Sequence, residues 1–155
     1  MFDKPDTLWV MISAILVMFM TPGLAFFYSG MMKGDNSVLI VLYCFIIYCI
    51  VTVLWFLFGF SLVFGTSQGG FIGNFEYACN IGVNINPHSF YGPTIPFSMF
   101  FFFQLMFACI TPALIVGTII GRMKFKSLII FTCLWLILVY IPIAHWMWNE
   151  NGWAF

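Results

Sequence analysis

Charge is what this sequence has least of. Asp, Glu, Lys and Arg make up 6% of its 155 residues, five acidic against five basic, and the formal net charge is zero. Soluble domains carry about a quarter charged residues, so a water-facing surface cannot be built from this composition. No Lys/Arg cluster is dense enough for a nucleic-acid footprint, which sets that partner class aside. Paired cysteine spacing is missing as well. Cys44, Cys49, Cys79, Cys109 and Cys133 form no CxxC or Cys/His pattern; four lie in apolar runs and read as small hydrophobes, not as a disulfide framework or a metal site. No nucleophile, base and orienter stand together, which argues against an enzyme, and no cofactor is implied. A basic leader is lacking too. The opening MFDKPDTLW is acidic where a signal peptide would be basic, and the apolar run behind it is too long for one, so the first helix is expected to stay in the mature chain.

What the sequence has in abundance is apolar length. The hydrophobic fraction is 63%, aromatics alone are 21%, and the mean hydropathy is +1.07. These values define an integral membrane protein. The fold class expected is all-α, a polytopic bundle of four transmembrane helices over about 7–32, 37–64, 94–121 and 127–149. Each uncharged run exceeds the ~20 residues needed to cross a hydrocarbon core of ~30 Å. In the first, Pro22 removes a backbone donor and Gly23 a side chain, so a kink or a tight crossing is expected there. In the third, Ala113, Gly117 and Gly121 stand four apart, a small-residue stripe suited to close helix approach in lipid. Residues 65–93, rich in Gly, Asn and Ser, read as an extramembrane loop in which His88 is expected to be solvated.

Orientation follows from the few cations. Lys33, Arg122, Lys124 and Lys126 fall on one side and Lys4 on the other, which places both termini and the 65–93 loop outside the cytoplasm. Trp9, Trp146, Trp148 and Trp153 then lie at the outer interface as an aromatic belt.

Only His145 is ionisable within a span, near the outer end of the fourth. Two readings fit it: a functional group reached by interfacial water, or a ring bonded to a neighbouring carbonyl. Phe100, Phe103 and Phe107, at i, i+3 and i+7, share one face of the third span, and Trp148 ends the fourth at the same outer level. Such rings can hold a small cation at about 0.5 to 1 kcal/mol per exposed contact and about 2 or more when desolvated. They can equally be ordinary lipid-facing or packing rings, the reading that suffices for Phe101 and Phe102.

Four stretches carry a resemblance: DTLWVMISAILVMFMTPGLAFFYSGMM, VLWFLFGFSLVFG, FFQLMFACITPALIVGTIIGRMKF and LWLILVYIPIAHWMWNENGW. With them the sequence resembles the ammonium transporter family (Amt, with its Mep and Rh relatives) over nearly its whole length, as the first four spans of a fold that normally has eleven. The resemblance implies a partial ammonium transporter domain at 1–155 and transmembrane movement of ammonium or ammonia. It implies an outer vestibule where Phe107 and Trp148, with Phe103 beside them, recruit ammonium or methylammonium, and where Phe107 is half of a stacked gate. Tyr140 and His145 belong to it as vestibule or supporting residues. It further implies a plasma-membrane location, a homotrimer among lipids, and a PII-type regulator. Departures accompany it. FYGG is Phe27, Tyr28, Ser29, Gly30 here, losing a close-packing glycine, and Gly121 replaces the glutamate of AER. The DFAGG stretch expected after Trp153, the two pore histidines, the second gate Phe and the serine of the cation site belong to later spans. These residues are therefore expected to supply the outer lip of the path without its throat, as part of a truncated or partial sequence. The alternatives are a non-transporting sensor or assembly module and a non-functional fragment.

Overall fold

The computed structural model of the protein describes residues 3–31, 37–119 and 122–155. Gly121, Met32, Lys33 and the rest of the 33–36 break lie outside them. Among the described residues four helices are long and apolar enough to cross a bilayer: α1 (Lys4–Met31), α2 (Ser37–Phe64), α3 (Phe97–Ile119) and α4 (Phe125–Trp148). With 23 to 28 residues each, they are roughly 34 to 42 Å long at ~1.5 Å per residue.

Burial explains their arrangement. On α2 the residues Ile40, Cys44, Ile47, Val51 and Trp55 are all buried, a stripe at helical spacing. On α4 Leu128, Thr132, Leu136, Tyr140 and Ala144 form another. α3 is buried around much of its circumference because α1 and α2 both pack on it. α4 rests chiefly against the carboxyl end of α2. Both α2 and α4 contain a π-turn, at Trp55–Gly59 and Leu136–Tyr140, a widening that is frequent at functional sites. The two turns face one another, with Trp55 and Tyr140 rings 6.1 Å apart.

Several expectations are corrected. α1 begins at Lys4, ahead of Thr7, and Pro22 does not interrupt it. Gly23 and Gly30 have nothing within 4 Å of where a Cβ would sit, so neither is a close-packing point. The crossing uses the buried Ala14, Thr21 and Ala25 instead, together with Gly117 on α3. A Cβ there would lie 2.6 to 2.8 Å from three ring atoms of Tyr28, whose hydroxyl donates to the Leu114 carbonyl at 3.1 Å. α3 starts at Phe97, because Gly92–Pro96 form a strand.

That strand belongs to an ordered cap formed by the 65–96 segment. β1 (Ser67–Gln68) pairs antiparallel with β2 (Ile72–Gly73), and β3 (Pro87–His88) with β4 (Gly92–Pro96). An aromatic cluster roots the cap in the bundle. Phe60, buried on α2, has Tyr77, Phe97, Phe101 and Phe64 rings at 6.0, 5.5, 4.9 and 5.1 Å. His88 is half-buried, not fully solvated. Its Nδ1 accepts the Phe90 and Tyr91 amides at 3.2 and 3.3 Å, and its ring lies 4.9 Å from both Tyr91 and Phe97.

Candidate functional site

α3 and α4 diverge toward the cap, and a cavity of about 450 Å³ opens between them, lined by Thr111 on one side and by Trp135, Tyr140, Ala144, Met147 and Trp148 on the other. The α4 spacing 140, 144, 148 produces this wall, since residues four apart share a face. Almost everything in it is apolar. Thr111 and Tyr140 are the exceptions: Tyr140 is 8% exposed, and its hydroxyl is buried.

Of the expected site residues, Tyr140 and Trp148 line this cavity, whereas Phe103 and Phe107 do not. Phe103 and Phe107 meet edge to face at 5.0 Å, and Phe107 is half-buried. Tyr140 and Trp148 share the cavity wall, and Trp148 is 42% exposed. Thr111, one turn after Phe107 and bonded by its hydroxyl to the Phe107 carbonyl at 2.7 Å, is the α3 residue that lines the cavity. Among the described residues Trp148 forms no ring pair with Phe103 or Phe107. Phe100, on the same face in sequence, is drawn away into the cap, 5.4 Å from Tyr91 and 4.9 Å from Phe64.

His145 does not line this cavity; it bonds to the end of α2 and to the loop after it. It is fully buried, with Nδ1 2.8 Å from the Val63 carbonyl and Nε2 2.8 Å from Ser67 Oγ. A carbonyl only accepts, so Nδ1 carries a proton and donates it; in the neutral ring Nε2 then accepts from Ser67. Of the two readings open in the sequence, the bonded ring is the one observed.

A second, smaller pocket of about 100 Å³ lies beside the cap among Thr66, His88, Tyr91, Asn149 and Glu150. Burial pushes the Tyr91 phenol up to about 12, so it stays neutral across the physiological range. Thr111 and Asn149 were not singled out in the sequence. A threonine before a helical proline, CITPAL, and an asparagine just after an apolar span are the signals that mark them.

The family model described as Ammonium Transporter Family matches residues 8–155. A putative ammonium transporter of Methanothermobacter thermautotrophicus is 46% identical over 150 residues, 96% of this chain and 37% of that protein. An ammonium transporter of Bacillus subtilis is 43% identical over 148 residues, 96% of this chain and 36% of that one. Among solved structures, the S453D mutant of Mep2 from Candida albicans superposes with a TM-score of 0.86 at 33% identity, over 98% of this chain and 33% of that chain. A Sensor Amt Protein gives 0.84 at 27% identity, over 96% and 36%. The chain thus spans about a third of the length of the proteins it matches.

Proposed function

This chain belongs to the ammonium transporter family, and we propose that it supplies the outer recruiting cup of an ammonium path across the plasma membrane, with its N-terminus outside. Phe107 and Phe103 form one wall of the cup and Trp148 the other, with Tyr140 supporting the wall beside Trp148. The observations that support the reading are the cavity where Thr111 of α3 meets Tyr140 and Trp148 of α4, and the edge-to-face contact of Phe103 with Phe107 one turn before Thr111.

Physical chemistry fits ammonium to such a cup. Ring faces attract a small cation at about 0.5 to 2 kcal/mol each. Recruitment and passage are different problems, however. A bare cation at bilayer mid-depth costs about 2.5 to 3.5 kcal/mol on insertion scales and more in simulations, and rings at the mouth do not remove that barrier. Separating ammonia from its proton would, but neither histidine here is placed for it: His88 is held in the cap and His145 against α2. In this reading residues 1–155 gather the cation and leave conduction to partner segments. The homotrimer, the surrounding lipid and a PII-type regulator enter as proposals on family resemblance.

A second reading, a sensing module that binds without transporting, draws support from the likeness to the Sensor Amt Protein. Our reading expects two results. Cells expressing residues 1–155 should accumulate no methylammonium above control. The purified chain in lipid nanodiscs should show a saturable shift of the Trp148 indole signal with methylammonium chloride, displaced by ammonium chloride. Uptake would overturn the division of labour, and a flat titration would overturn recruitment.

A further inference from the structure

Trp148 occupies the last turn of α4, where helices ordinarily fray, and its own ring is 42% exposed. Its place in the cup must therefore be fixed from the backbone. Two neighbours, buried on either flank of it, do this. His145, one turn earlier, is 0% exposed, and Asn149, the next residue, is 1% exposed.

Both bond to the same feature, the carboxyl end of α2. The chain turns extended at Gly65, so the last carbonyls of α2 lack helical partners, as at any helix end. His145 Nδ1–H donates to the Val63 carbonyl at 2.8 Å. Asn149 Nδ2 donates to the Val63 and Gly65 carbonyls at 3.0 and 2.9 Å. On the other side of each side chain the contacts continue. Ser67 Oγ meets His145 Nε2 at 2.8 Å and accepts the Gly70 amide at 3.2 Å, while Asn149 Oδ1 accepts the Asn151 amide at 3.0 Å. α4 ends at Trp148, with Asn149 at φ −79° and ψ 136°. Each donor thus meets a buried acceptor that nothing in its own helix satisfies.

We propose that His145 and Asn149 are positioning residues for Trp148: by capping α2 from across the bundle they fix the rotation of the last turn of α4. One residue of helix rotation is 100°. Slippage of that size would swing the indole out of the cavity wall, and the two caps oppose it. The proposal concerns the ring placed at the mouth in the recruiting reading, yet its test uses no cation, so either can fail without the other.

The test is the indole N–H signal of Trp148 in the full chain in lipid nanodiscs, identified among six tryptophans by its loss in Trp148→Phe. Asn149→Asp, which sets a carboxylate against two carbonyls, and His145→Phe should each shift this signal and broaden it at least two-fold, with the Trp9 signal unmoved. His145→Asn, which keeps a donor near the Nδ1 position, should restore most of the wild-type signal. If Asn149→Asp does not fold, Asn149→Ser keeps one donor and should give an intermediate shift. A Trp148 signal that stays put in the folded variants, or equal behaviour of His145→Phe and His145→Asn, overturns the proposal.

Discussion

Replacing Trp148 with leucine should raise the half-saturating methylammonium concentration of the chain about two- to five-fold, read in nanodiscs from the Thr111 methyl signal. Leucine keeps an apolar side chain in the cavity wall and removes the ring quadrupole, so the change isolates the cation–π term. The size follows from exposure. Trp148 is 42% exposed, which places its contact near the exposed value of about 0.5 to 1 kcal/mol, and about 1.4 kcal/mol is ten-fold. A half-saturation unchanged from wild type removes Trp148 from the site. A loss of thirty-fold or more would mean that the indole is far better shielded from water when occupied than its free exposure indicates.

Phe60→Ala should have the largest effect on stability, about 3 to 5 kcal/mol, the cost of truncating a fully buried phenylalanine. Phe60 joins three parts of the molecule. Its ring lies 6.0 Å from Trp55 on α2, 5.5 and 4.9 Å from Phe97 and Phe101 on α3, and 6.0 Å from Tyr77 in the cap. In a membrane the apolar transfer gain between helices is small and packing carries association, so a cavity at this junction removes contacts that lipid cannot replace. Denaturant unfolding of the chain in mixed micelles measures the loss. A change below about 1 kcal/mol would show that the cluster repacks and that the cap is rooted elsewhere.

The helices were legible in the sequence because lipid imposes one demand on all of them, an uncharged run of sufficient length. The ends were less legible, for the same reason. Apolarity alone cannot tell that Thr94, Ile95 and Pro96 continue a strand instead of opening α3. Two prolines nearby, Pro93 and Pro96, were the available hint. The order of the cap was hidden because two-residue strand pairs leave no periodicity to read. His88 looked solvated because the rings that enclose it come from its own hairpin and from the first turn of α3.

The site was legible in a different way. Phe103 and Phe107 share a face by helical spacing, and their contact follows from it. Trp148 and Tyr140 entered through family likeness, and no spacing rule brings α3 and α4 together around Thr111. For His145 the deciding partner, the Val63 carbonyl, lies 82 residues away in sequence. A sequence can show that a histidine in an apolar span needs a partner; it takes the fold to show that the partner is an unsatisfied helix end. Asn149 was overlooked because an asparagine after a span reads as interfacial until the carbonyls it caps are known.

Phe107 on α3 and Trp148 on α4 must touch one and the same cation. Magnetisation transfer from the carbon-13-labelled methyl group of methylammonium to aromatic ring protons, recorded on the chain in nanodiscs, reads this contact directly. Transfer to both Phe107 and Trp148, lost together when ammonium chloride is added in excess, is the expected outcome. Transfer to one ring alone, or to neither, would mean that α3 and α4 do not enclose a shared ion.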